Sequence, residues 1–171
     1  MAQAKNVVTM GSLAYSCRMR CCLLYSFIVW LAFAGATMGA TGRIVKVLPH
    51  FLDLQGRHTL SPSLYERDAY QVRLREHPSE RSGIRYDVEW KTKGGSFDQL
   101  KLQLELRGLF QGKTPRTLTL EKAIARRGWN TQWTGLPVTG QQYKDFGEVI
   151  AWRVTLWEGE KLLDEQQSFL W

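Results

Sequence analysis

Side chains able to carry chemistry are few and dispersed in this chain. Its three histidines are His50, His58 and His77. His50 and His58, with Asp53 between them, are residue types that bind divalent metals, but their spacing matches no established ligand motif. They read as surface or turn histidines, and His77, just before Pro78, as a loop residue. No serine sits between glycines on a strand-to-helix turn, so a nucleophile elbow is missing. Ser61 and Ser63 read instead as helix-capping residues. The nearest carboxylate pairs are Glu66 with Asp68 and Asp164 with Glu165. Glycoside hydrolysis needs two carboxyl groups roughly 5–10 Å apart, whereas these pairs have basic neighbours and read as solvated. Gly94-Gly95 lacks the Lys-Ser/Thr that completes a phosphate-binding loop. The expectation is a protein without catalytic residues, cofactor or metal. A Ser-His-Asp group assembled from distant positions is the enzymatic alternative.

Aromatic residues give a stronger signal. The chain of 171 residues has seven tryptophans, and only Trp30 precedes residue 37. Trp90 and Trp152 alternate with polar residues and are expected in a core. Trp129 and Trp133 lie in a turn-rich segment, 128–140, and Trp157 falls on the polar side of its strand. An exposed tryptophan offers a large rigid face that stacks on a sugar or anchors a protein partner. Together with Arg126 and Arg127, these residues (Trp129, Trp133 and Trp157) form the candidate contact surface. Three readings are open: contact with a protein or cell-envelope component, a glycan site whose arginines take an anionic group, or a segment that merely covers a sheet edge.

The elements that must position these groups show a period of two. Leu100, Leu102, Leu104 and Leu106 alternate with Lys101, Gln103, Glu105 and Arg107. A helix would spread the leucines around its circumference, and a strand puts them on one face. The same alternation marks 70–75, 84–91, 117–121 and 150–157. Ile44 to Leu54 is a further apolar run, and Pro49 within it predicts an edge strand or one that changes sheets. Leu162 to Trp171 is the seventh candidate. Arg73 and Arg75 are placed to face Asp87 and Glu89, which predicts a hairpin of 70–75 with 84–91. The one helical signal is Ser63 as N-cap with Glu66 three residues later, good for one or two turns before strand resumes at Tyr70. Turn residues separate the runs at 77–80, 94–95, 112–115 and 158–160. The pattern predicts an all-β domain of about seven strands in two facing sheets, an immunoglobulin-like or fibronectin III-like sandwich, with a small barrel as alternative.

Lys5, Arg18 and Arg20 precede an apolar run from Cys21 to Ala36 that closes on Ala34-Gly35-Ala36. A positive region, an apolar region and small residues in that order describe a secretory signal peptide. The run is about 16 residues, short of the ~20 that a spanning helix prefers. Residues 1–36 are therefore read as the signal and 37–171 as a single domain, with an uncleaved anchor through 21–36 as alternative. The expected location is periplasmic or extracellular, with membrane contact only through the N-terminal segment. Cys17, Cys21 and Cys22 are the only cysteines, so residues 37–171 have neither disulfide nor thiolate. The net charge is +7, but three of the basic residues lie in the signal. The remainder is mixed in sign and lacks the basic stripe of a nucleic-acid binder.

Leu136-Pro137, then Tyr143, a strand at Val149–Trp157, a tight turn and a last strand resemble the end of fibronectin type III and related immunoglobulin-like domains. There a Leu-containing turn and a Tyr introduce the penultimate strand; here Lys144-Asp145-Phe146-Gly147 intervene. Val47–Arg57, Ser61–Arg75 and Ala151–Trp171 are also similar to uncharacterised exported bacterial proteins. That likeness implies a location and no activity. The expected function is non-catalytic contact with a protein or the envelope. A carbohydrate-binding module is the second reading, and an enzyme with a dispersed site the third.

Overall fold

The computed structural model describes residues 41–94, 99–125 and 130–171, all within one compact unit, Gly39–Trp171. The expected signal peptide, 1–36, and Arg126, Arg127 and Trp129 lie outside the described residues. None of the described helices is long and apolar enough to cross a membrane.

Among the described residues, seven strands form two antiparallel sheets. They are β1 (Thr41–Asp53), β2 (Arg81–Lys93), β3 (Leu100–Phe110), β4 (Thr114–Ala123), β5 (Gln132–Thr139), β6 (Glu148–Glu158) and β7 (Lys161–Gln167). One sheet has the order β1-β2-β5, the other β4-β3-β6-β7. Two helices interrupt the strands: α1 (Leu64–Glu76) between β1 and β2, and α2 (Gly140–Phe146) between β5 and β6. The expected pair of facing sheets is present, and two separate sheets replace the alternative closed barrel. Their inner faces meet in one core. Ile84, Tyr86, Val88, Trp90, Leu136 and Val138 come from the first sheet, and Leu100, Leu102, Leu104, Leu106, Val154 and Leu156 from the second. Trp90 is fully buried, and its indole N–H donates to Thr134 Oγ1 at 2.9 Å. Trp152 packs half-buried at the margin, 6.2 Å from the Tyr86 ring.

Two expectations are corrected. Residues 70–75 are not a strand: they belong to the 13-residue helix α1. The buried residues of that helix, Gln71 and Leu74, are three apart, a helical spacing. The expected hairpin with 84–91 is therefore absent. β2 pairs with β1 and β5 instead, and Arg73 pairs with Glu80 at 3.0 Å. Ser63 is the N-cap as expected, but its side chain makes no capping hydrogen bond. The second correction restores the strand count. Residues 132–139, expected as turn, are the strand β5. Leu136 and Val138 point inward, and Pro137 is tolerated because β5 is the sheet's edge. β1 is the other edge, which accommodates Pro49.

Candidate functional site

Residues that alternate with the core face away from it. On β2 these are Arg85, Asp87 and Glu89. Opposite them stand His50, Leu48 and Lys46 on β1, and Pro137, Gly135 and Trp133 on β5. The segment after β1 and the first turn of α1 add His58, Leu64 and Arg67, bounding an open groove of about 470 Å³.

Two local devices bring that segment over the sheet. Asp53, at the end of β1, accepts hydrogen bonds from the backbone N–H of Gln55 and Arg57 at 2.9 and 2.8 Å. It also accepts from Arg57 Nε at 2.9 Å and from the Tyr70 hydroxyl at 2.8 Å. Burial pushes its carboxyl up, but these donors outweigh burial and hold it below the usual carboxylate range. The turn and α1 are thus tied to one ionised side chain. Gln71 is the second device. Its amide accepts from Phe51 N–H at 2.8 Å and donates to Phe51 O at 3.0 Å and to His58 O at 2.7 Å. A helical side chain thereby satisfies both main-chain groups of an edge-strand residue and fixes the backbone of His58.

In the groove, His50 Nδ1 lies 3.0 Å from Asp87 Oδ2, and Arg85 Nη2 donates to the same oxygen at 2.8 Å. Arg85 Nη2 also lies 3.2 Å from His58 Nδ1, and the two imidazole rings are 5.3 Å apart. A guanidinium only donates, so His58 Nδ1 accepts, and its ring is neutral with the proton on Nε2. Burial, followed by the charges of Arg85 and His50, pushes the His58 pKa down, which agrees with that state. Burial raises Asp87, but its hydrogen bonds from His50 and Arg85 and their charges overcome this and hold it low. The Nε–H groups of Arg67 and Arg85 are buried without a hydrogen-bond partner among the described residues. Arg67 Nε is 3.7 Å from the Asp68 carboxylate, beyond hydrogen-bonding distance.

The sequence-level candidates separate. His50 and His58 converge, but Asp53 turns into its own loop, so the three do not form one ligand set. Arg85 occupies the space between His58 and Asp87 with positive charge, which opposes a cation there. No group of three His, Cys, Asp or Glu side chains is arranged to hold a metal among the described residues. His77 stands apart, its Nδ1 3.0 Å from Arg73 O at the end of α1. Asp164 Oδ2 accepts from Ile44 N–H at 2.7 Å, a tie between β7 and β1. The five-residue contact surface is divided. Trp133, 52% exposed, borders the groove. Trp157 lies on the outer face of the other sheet, its Nε1 donating to Thr155 Oγ1 at 2.8 Å. Arg126, Arg127 and Trp129 fall outside the described residues.

Sequence reasoning missed Lys46, Arg67, Arg85 and Asp87 as neighbours of the histidines. The signal was present in part: once β1 and β2 are paired, period two puts Lys46, His50, Arg85 and Asp87 on one face. The contribution of α1 was hidden by its misreading as strand. Chemically, His50 with Asp87 has the form of a base held by a carboxylate, but among the described residues no Ser, Thr or Cys lines the groove. What the groove offers is positive charge beside apolar walls. No family model matches this chain, and no curated protein or solved structure matches it.

Proposed function

We propose that the protein is an exported, fibronectin type III-like module that acts without catalysis, by contact with another protein or a cell-envelope component. The charged and apolar regions of residues 1–36 support export. The split of seven strands into sheets of three and four supports the fibronectin-like reading over a barrel. One observation carries the contact reading. Leu60, in the loop before α1, and Leu64 and Tyr65, at its start, are all exposed, Tyr65 at 83%. Grouped exposed apolar side chains mark interaction surfaces. The test is recovery of the full chain from fractionated cells after crosslinking. The intact protein is expected to crosslink to one envelope component. Leu60→Glu and Tyr65→Glu are expected to abolish the crosslink while leaving thermal unfolding unchanged. Undiminished crosslinking by both variants would refute a role for this patch. A carbohydrate-binding reading is favoured by Trp133 at the edge of the groove.

A further inference from the structure

We propose that the groove on the three-stranded sheet binds a sugar bearing an oxyanion, either carboxylate or phosphate. The inference deepens the carbohydrate reading and rests on it. It uses the outer face of the sheet and requires no contact at Leu60 or Tyr65.

Charge comes first. Lys46, Arg67 and Arg85 line the groove against a single carboxylate, Asp87, which His50 and Arg85 already engage. At the border of the groove Asp68 lies 3.7 Å from Arg67 and Glu89 stands opposite Lys46, so these carboxylates balance part of the positive charge of the lining. Guanidinium groups bind carboxylate and phosphate through paired, charge-assisted hydrogen bonds. The Nε–H groups of Arg67 and Arg85 have no partner among the described residues but are buried, so a ligand would meet them only after those side chains turn. Shape comes second. A volume of about 470 Å³ is of small-ligand size. Leu48 and Leu64 supply apolar wall, and Trp133 an exposed indole of the kind on which sugar rings stack. Polar complementarity comes third. The neutral His58 carries an Nε2–H donor. Such a donor beside the Arg85 guanidinium, 3.2 Å from the same ring, suits a hydroxyl next to an oxyanion.

The full chain is titrated with a uronic acid, a hexose phosphate, inorganic phosphate and a neutral hexose, followed by calorimetry and amide NMR. Both charged sugars are expected to bind and to shift the amides of His50, His58, Asp87 and Trp133; their ranking identifies carboxylate or phosphate as the native group. Arg67→Gln, at the rim, is expected to weaken both by about tenfold or more. Trp133→Ala is expected to weaken the charged sugars while leaving inorganic phosphate unchanged. Binding of the neutral hexose as tight as that of the charged sugars would overturn the oxyanion half of the inference. Binding of inorganic phosphate as tight as that of the charged sugars would overturn the sugar half. Silence of the groove amides at about 10 mM of either charged sugar, enough to occupy most of a site with a Kd of about 1 mM, would overturn both. An unaltered crosslink at the α1 patch in that case would leave the contact reading standing by itself.

Discussion

Gln71 shows how one side chain decides the geometry of a site it does not line. Its amide fills the hydrogen-bonding needs of Phe51 and holds the His58 carbonyl. Gln71→Leu keeps the volume but strands three partly buried main-chain groups, a loss expected to cost about 1 kcal/mol. Urea unfolding measures it, and a midpoint equal to that of the parent would contradict the assignment. The His58 ring is expected to lose its single orientation in the same variant, read from its NMR line shape. Gln71 was not legible in the sequence, since a polar residue in a charged segment looks solvated until the helix is known. Trp90 was legible, because the alternation 84–90 fixes its side of the strand without any knowledge of its partners. His50 and Asp87 lay between these cases: their faces followed from period two, but their pairing required the register of β1 on β2.

At the scale of elements, the length of a pattern decided whether it could be read. Four leucines in strict alternation specify β3, against leucine's own helix preference. Tyr70, Val72 and Leu74 alternate for only three positions, and the surrounding Leu, Glu, Arg, Ala and Gln are strong helix formers. There propensity prevailed, and Val72 is left exposed. Bulges interrupted other patterns. The register of β6 on β3 shifts where Arg107 pairs with Ala151 and Gly108 with Val149. Ile150 is the extra residue, and it is 43% exposed whereas Ala151 is buried. The junction of α2 and β6 supplies a test. Gly147 has φ +85°, and a Cβ there would stand 2.4 Å from Leu109 O. Gly56 also has positive φ, +76°, but open space around it. Gly56→Ala is expected to cost about 1–2 kcal/mol for the backbone conformation alone. Gly147→Ala carries the same kind of penalty plus the collision, so its melting temperature is expected to fall clearly further. Equal shifts would show that the close approach of α2–β6 to β3 relaxes without cost.

For the whole molecule, two sheets with greasy inner faces followed from the sequence because burial acts on every strand at once. An error in one strand and an omission in another left the architecture unchanged. The groove is a different matter: it belongs to the outer side of one sheet, where no core constrains the side chains, and it depends on a helix packed beside the edge strand β1. The proposed export concerns the full chain, and mass spectrometry of the protein recovered from each cell fraction tests it. A mature N-terminus at Thr37 is expected, and retention of residues 1–36 in a membrane fraction would favour the anchored form.

The position of Gln71 has a further consequence for how the domain behaves among copies of itself. An unshielded outermost strand is a template on which another chain can start to polymerise. On β1 the proline removes one donor, and the Gln71 amide occupies the next pair of main-chain groups that an incoming chain would need. Pro49 and the Gln71 carboxamide together thus leave this edge strand with fewer free main-chain groups on which a second copy could add.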